Sequence, residues 1–471
     1  MLTFFKTNDP YRLIGVFLLL LVIRVPMFIS GVPMILPELK WLLIGERLGS
    51  DDYTMYQDVW DYTAPLAVFV YKWLFILFGK TRVPYFIISV LLVVIQAGIF
   101  NNVMLRNKAY NGSTYVPALL YMVFMNAFFD FLTLSPVLLS MTFVLLAMNN
   151  LFKRMDNQTK DELFIFTGVF LGIATLFYLP TFWYFVVTIL SLVLYTGSIL
   201  RRMMLLVYGF AMVVGFASLY FYWFDDYLIF QYHVLNSLWI IETIKYLNWT
   251  ELTIVAAVPL LIFIASVYKV RKLGKYINFQ EKIQQVMFMF FLSGFLGLMM
   301  AREISTYQLI FFIPTVAFFV THYLLLIKNW LVAEISVGVI IILVLYNHLA
   351  FVNKWFHVDR FVSYEPLLIR ESSYEKLLTD KKILVLGDEM HHYKNASLAT
   401  PYLNWRLSQL QLKELKYYDN SAEAFVNFNE DLPEVIIDQE QTMPELLGKM
   451  PTISSQYIHH EGYPEIYLLK E

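Results

Sequence analysis

The chain has 471 residues, 59% hydrophobic and 15% charged, whereas soluble domains carry about 25% charged residues; a wholly water-soluble fold is excluded. Lys plus Arg number 35 and Asp plus Glu 37, so no basic excess exists to neutralise phosphates, and nucleic acid is excluded as a partner. With no Cys, disulfides, thiolate zinc centres and a cysteine nucleophile are excluded too, while the 18% aromatic content suits a chain that meets lipid and its interface.

A spanning helix needs roughly 20 mostly apolar residues. Such runs predict eleven transmembrane helices, at about 12–30, 84–104, 115–131, 137–152, 163–178, 181–199, 204–222, 252–268, 285–301, 309–326 and 331–351. The first is too long, and lacks a small-residue cleavage site, for a removable signal peptide. The apolar stretch 64–79 is short and contains Lys72, which predicts a helix lying on the membrane surface. Basic residues set the orientation. With the N-terminus inside, the inner segments hold fifteen Lys and Arg, among them Arg201-Arg202 and the cluster at 269–275; the outer loops hold seven. Letting 64–79 span would invert both clusters.

Eleven spans place the C-terminal region outside, where the composition turns polar. The runs 382–387 and 434–438 read as buried strands, and 457–460 and 465–469 flank a hairpin turn at Glu461-Gly462. Helical spacing occupies 401–427 and 443–450. The expected fold is an α-helical polytopic membrane protein of about eleven transmembrane helices with a small C-terminal α/β extracytoplasmic domain. The membrane module covers 1–352, including the first outer loop at 31–83, and the soluble domain covers 353–471.

That first outer loop carries the strongest chemical signal. Six acids (Glu38, Glu46, Asp51, Asp52, Asp58 and Asp61) sit among aromatics. A carboxylate partly removed from water becomes a better base, and adjacent acids can instead hold a divalent cation. The same acids could also cap short helices and face water. Asp130 ends the third apolar run, where it either points into a cavity or marks the water boundary. Asp225-Asp226 opens an aromatic loop with His233, Trp239 and Trp249, which reads as an interfacial belt. Arg302, ahead of Glu303, Ser305 and Tyr307, has a guanidinium suited to a phosphate, to Glu303, or to lipid headgroups. Arg24 lies inside the first span and is expected to meet an acid within the bundle. His391-His392 lacks further ligands at metal spacing and reads as a solvated turn. Gly168 and Gly172 read as helix-packing positions.

Taken in order, the first span, the acidic loop, Asp51-Asp52-Tyr53, Asp61-Tyr-Thr-Ala-Pro65-Leu66, Trp73-Leu-Phe-Ile-Leu-Phe-Gly79 and Arg302-Glu-Ile-Ser-Thr-Tyr307 resemble the GT-C superfamily of polyprenyl-phosphate-dependent glycosyltransferases. Two positions depart from the family pattern: Ala64 replaces a second Pro, and Tyr178 stands where a Lys is common. The resemblance implies a membrane glycosyltransferase, with Asp52 or Asp51 as general base. It implies a donor phosphate held by Arg302 and Tyr307, and supporting roles for Asp61 and Asp130. The implied partners are a polyprenyl-phosphate sugar, membrane lipid and a glycan, lipid or protein acceptor. Apart from the resemblance, the adjacent acids Asp51 and Asp52 are the candidate site for a divalent cation. The implied location is a bacterial inner membrane, with a cytoplasmic N-terminus and a periplasmic C-terminal domain. A non-catalytic GT-C-like subunit of an envelope assembly or secretion complex is the alternative. A transporter ranks last, because the acids gather at helix ends rather than at mid-bilayer.

Overall fold

The computed structural model describes residues 1–50, 53–155, 161–195, 199–224, 227–232, 243–352 and 360–470. Among these, eight helices are long and apolar enough to cross a membrane: Arg12–Ile29, Arg82–Arg106, Pro136–Lys153, Leu200–Trp223, Trp249–Leu273, Asn278–Met299, Thr306–Leu326 and Trp330–Ala350. Three shorter apolar helices, Pro65–Phe78, Leu163–Phe177 and Leu179–Tyr195, cover the stretches expected at 64–79, 163–178 and 181–199.

The third expected span, 115–131, is broken. Its helix Val116–Phe124 stops early and a 3-10 turn, Phe129–Leu132, follows. The cause is competition for backbone carbonyls. Asn126 Nδ2 donates to Met122 O at 2.6 Å, and Arg24 Nη2 donates to Met125 O and Phe131 O at 3.0 and 3.2 Å. A similar break opens the span Thr306–Leu326, which begins as the 3-10 helix Thr306–Phe312 before the α-helix Ile313–Leu326. Pro314 has no N–H for the Ile310 carbonyl and its ring crowds that carbonyl, so an α-helical ladder cannot continue upstream.

The chain forms two compact units. The first comprises Met1–Val32, Arg82–Tyr220 and Leu238–Pro366. Its spanning helices expose apolar side chains as well as burying them, as contact with lipid requires. On Arg12–Ile29, for instance, Val16, Leu20 and Ile23 are buried while Ile14, Leu18 and Val22 are exposed. Helices Leu163–Phe177 and Ile199–Trp223 cross closely through glycine: a Cβ on Gly168 would meet Leu206 O at 2.1 Å, and one on Gly209 would meet Ile165 O at 2.1 Å. Packing therefore explains Gly168. A two-residue parallel ladder joins β1 (Ile244–Lys245) to β2 (Glu303–Ile304).

The second unit gathers Pro33–Thr81, Phe221–Ser237 and Leu367–Glu471. The outer-loop segment thus packs with the C-terminal region, cutting across the sequence division at 352. Strands β3 (Lys382–Leu386), β4 (Ser397–Leu398), β5 (Val435–Asp438), β6 (Tyr457–His460) and β7 (Tyr463–Leu469) form one sheet in the order β4-β3-β5-β7-β6. β4, β3 and β5 are parallel; β7 runs antiparallel to β5 and β6. The expected turn at 461–462 closes the β6–β7 hairpin. Leu384, Leu386, Trp405, Phe428 and Ile436 lie in the core between this sheet and helices Trp405–Leu412 and Tyr418–Glu430. One expectation fails here. His391-His392 is not a solvated turn: it sits on the 3-10 helix Met390–Asn395, with His392 buried and stacked on Tyr374.

Candidate active site

In the first unit, the 3-10 turn after Val116–Phe124 carries Asp130 into the interior. Thr306 Oγ1 donates to Asp130 Oδ2 at 2.5 Å, and Ser305 Oγ lies 3.4 Å from the same oxygen. Asp130 Oδ1 is buried and accepts no hydrogen bond among the described residues. The turn lies outside the spanning helices, and burial there pushes the Asp130 carboxyl up to about 7, against the smaller opposing effect of its hydroxyl and backbone donors. A carboxyl in that range can hold or release a proton near neutrality.

Arg24 positions this turn, and its partner is not the acid expected. Its guanidinium donates to Asn126 Oδ1 at 2.9 Å, to Ser89 Oγ at 2.9 Å and to the Met125 and Phe131 carbonyls. These neutral oxygens include the carbonyl end of Val116–Phe124, where the helix dipole favours a cation. Asn347 Nδ2 adds a bond to Ala127 O at 3.1 Å.

Arg302 follows helix Asn278–Met299, and the β1–β2 ladder holds its backbone through Ile244 N to Arg302 O at 2.7 Å. Glu303 is buried; Tyr307 Oη donates to its Oε2 at 3.3 Å, and Gln308 Nε2 donates to its carbonyl. Gln308 Oε1 in turn accepts from Ser305 N at 2.8 Å, closing the start of the 3-10 helix. Tyr178 lies beside Gln308, Glu303 and Tyr307, with its ring 5.7 Å from that of Phe311. The Tyr307 hydroxyl is therefore engaged by a carboxylate of its own segment.

A cavity of about 320 Å³ lies among helices Trp249–Leu273, Asn278–Met299 and Ile313–Leu326. Leu252, Pro259, Phe263, Phe295 and Leu298 are among its walls. It also touches Ala127 and Phe128, just before Asp130, and Leu309, just after Thr306. The segments that carry the buried polar cluster thus also contribute apolar side chains to the cavity wall.

The acids of the outer-loop segment divide. Asp51 and Asp52 lie outside the described residues, as do Asp225, Asp226, His233 and Trp239. Asp58 caps a turn by accepting from Thr54 N at 2.6 Å, and Glu46 pairs with Lys80 at 2.7 Å. Asp61 is fully buried in the second unit. It accepts from Thr63 N at 2.9 Å, Thr63 Oγ1 and Asn404 Nδ2 at 3.2 Å, and faces Lys40 Nζ at 3.4 Å. Burial alone would raise its carboxyl; Lys40, then Thr63 and Asn404, outweigh this and hold it below the usual value. Asp61 joins its loop to the N-cap of Trp405–Leu412, a link of 343 residues in sequence that no local pattern announces.

No protein-family model and no curated protein matches the chain. Among solved structures it is similar to ArnT from Cupriavidus metallidurans, determined bound to undecaprenyl phosphate, at 12% identity and a TM-score of 0.50. The match covers 70% of this chain and 64% of that one, so it spans under two thirds of the ArnT chain. This likeness bears out the GT-C-like fold expected from the sequence, and with it an integral membrane protein with many apolar helices and a small C-terminal sheet.

Proposed function

We propose that the chain is a membrane glycosyltransferase that moves a sugar from a polyprenyl-phosphate donor to an acceptor on the outer, periplasmic face of a bacterial inner membrane. One observation carries the reading: within a fold similar to that of a lipid-phosphate-bound protein, an apolar cavity is lined by Ala127, Phe128 and Leu309, on the segments that carry Asp130, Ser305 and Thr306, close in sequence to Arg302. The cavity suits the apolar chain of such a donor, and the Arg302 guanidinium is the cation for its phosphate.

In this reading Asp52, with Asp51 as its alternate, takes the proton of an acceptor hydroxyl. The oxygen attacks the anomeric carbon, the bond from that carbon to the phosphate oxygen breaks, and the lipid phosphate leaves with the electron pair, inverting the centre. Arg302 and Tyr307 bind the donor phosphate, and the guanidinium balances the charge that grows on the leaving group. Asp130 and Asp61 hold their segments in place. The alternative to base catalysis is that Asp51 and Asp52 hold a divalent cation.

The test is sugar transfer from a lipid-linked donor in reconstituted membranes, across glycan, lipid and protein acceptors. Loss of a general base costs about 10²–10⁴ in rate, so Asp52→Asn is expected to slow turnover with donor binding retained. Arg302→Ala is expected to weaken donor binding, and Arg302→Lys to restore charge without the two-pronged geometry. Wild-type rates in Asp51→Asn, Asp52→Asn and the double variant would refute the base assignment. Tyr178, set among Gln308, Glu303 and Tyr307 where the family often has Lys, favours a second reading: a non-catalytic subunit of an envelope assembly. Absence of any donor binding by the wild type would select it.

A further inference from the structure

The second unit contains a ligand set that takes no part in the proposed sugar transfer. β3 and β5 are adjacent parallel strands, and the loops leaving their carboxyl ends converge. The loop after β3 carries Glu389, His391 and His392; Gln439 directly follows β5. The crevice beyond the carboxyl ends of parallel strands is where open α/β sheets bind ligands.

One carboxylate oxygen of Glu389 and one ring nitrogen from each histidine lie within 4.8 Å of one another. Glu389 Oε2 is 3.9 Å from His391 Nε2 and 3.5 Å from His392 Nε2. Bonds of about 2.0–2.2 Å at tetrahedral angles put ligand atoms roughly 3.3–3.6 Å apart, so little movement separates this arrangement from a coordination shell.

Hydrogen bonds fix which atoms face inward. Gln439 Nε2 donates to Glu389 Oε2 at 2.9 Å; a carboxylate only accepts, which settles the direction of the amide. The same nitrogen lies 3.3 Å from His392 Nε2, which accepts from it in the tautomer protonated on Nδ1. In that tautomer His392 Nδ1 donates to Ser372 Oγ, 2.7 Å away. A metal-bound histidine is held in this way, its second nitrogen tied to a neighbouring oxygen. Two lone pairs thus converge on the Gln439 amide, a partly positive group. Gly387 leaves room for it, since a Cβ there would come within 2.0 Å of Gln439 Oε1.

We propose that Glu389 Oε2, His391 Nε2 and His392 Nε2 bind one divalent transition-metal ion of the zinc type, with the Gln439 amide turning to offer Oε1 as a fourth ligand. Two imidazole nitrogens and one carboxylate favour zinc over magnesium or calcium, which take all-oxygen shells. The histidine side chains are 17% and 3% exposed and Glu389 62%, so the set is anchored on one side and open on the other.

The sequence alone hid this set. Glu389 is two residues before the pair, and Gln439 arrives from another strand.

The full chain, produced without a polyhistidine tag, stripped with a chelator and held in detergent micelles, is titrated with Zn²⁺ against a chromophoric competitor. One equivalent per chain is expected. Glu389→Gln and His391→Ala, both at the exposed side, are each expected to raise Kd at least about tenfold. Ser372→Ala removes no ligand, yet is expected to raise it by about tenfold through loss of the imidazole's orientation. His459→Ala, on β6, is expected to bind as wild type. Co²⁺ loaded in place of zinc is expected to show the visible absorption of a four-coordinate ion, lost in His391→Ala. Failure of the wild type to bind one equivalent, or wild-type Kd in both Glu389→Gln and His391→Ala, would overturn the proposal. The readout is metal binding alone, so the result stands apart from the glycosyltransferase reading.

Discussion

Asp61→Asn isolates the buried charge that holds the outer-loop segment within the second unit. The carboxylate receives two donors on each oxygen: Thr63 N and Oγ1 on Oδ2, and Asn404 Nδ2 and Lys40 Nζ on Oδ1. An asparagine has one acceptor oxygen, so its NH₂ must face either the Thr63 pair or the Asn404–Lys40 pair, donor against donor. Removing one partner of a buried pair costs roughly 3–5 kcal/mol. Keeping the bond to Thr63 N recovers about 1 kcal/mol, which leaves an expected loss of about 2–4 kcal/mol. Unfolding of the full chain in micelles measures it, with protease cleavage near Trp60 as a local readout; the Trp60 ring packs 5.2 Å from that of Tyr402. The double variant Lys40→Met/Asp61→Leu leaves no charge behind and is expected to lose less than Asp61→Asn alone. The sign with pH follows from the depressed carboxyl. Its stabilisation is full above the unfolded value of 3.8 and is lost as pH falls through the lower folded value, and Asp61→Asn removes that acid dependence. An Asp61→Asn chain within about 0.5 kcal/mol of wild type would refute the reasoning.

Other outcomes follow from the first unit. Arg24→Met strands the acceptors at Asn126, Met125 and Phe131, each costing roughly 1–3 kcal/mol; thermal unfolding in micelles equal to wild type would contradict the anchoring role. The Asp130 carboxyl is raised from 3.8 to about 7, so its proton is held more tightly in the folded chain, and its contribution to stability declines as pH climbs between those values. Asp130→Asn is expected to flatten that decline in unfolding curves measured from about pH 4 to pH 7. Reporter fusions at residues 157 and 395 are expected on opposite membrane faces; both on one face would contradict the orientation drawn from the basic residues.

Much of the fold was legible because apolar length and strand alternation are local properties. The long hydrophobic runs became spanning helices, and 382–387, 434–438 and 457–460 became β3, β5 and β6 within a residue or so. Legibility stopped where polar atoms compete for the backbone. Nothing within 115–131 shows that Arg24, a hundred residues earlier, takes the Met125 and Phe131 carbonyls and ends the helix. The candidate site was partly visible, since Asp130 and Arg302 stood out as ionisable groups at the ends of apolar runs. Their surroundings did not: the hydroxyls of Ser305 and Thr306 reach Asp130 across 175 and 176 residues.

The sequence by itself determined the solvent this protein lives in, the position of most membrane helices, the C-terminal α/β layer and a GT-C-like resemblance, since each rests on composition or on spacing between near neighbours. Tertiary structure alone decided the partners of the buried charges. It bound Asp61 to Asn404, gave Arg24 neutral oxygens in place of an acid, and set Gln439 against Glu389 and His392. A buried polar group must find its counterpart wherever the fold delivers one. That meeting depends on how distant segments pack, which no local pattern records.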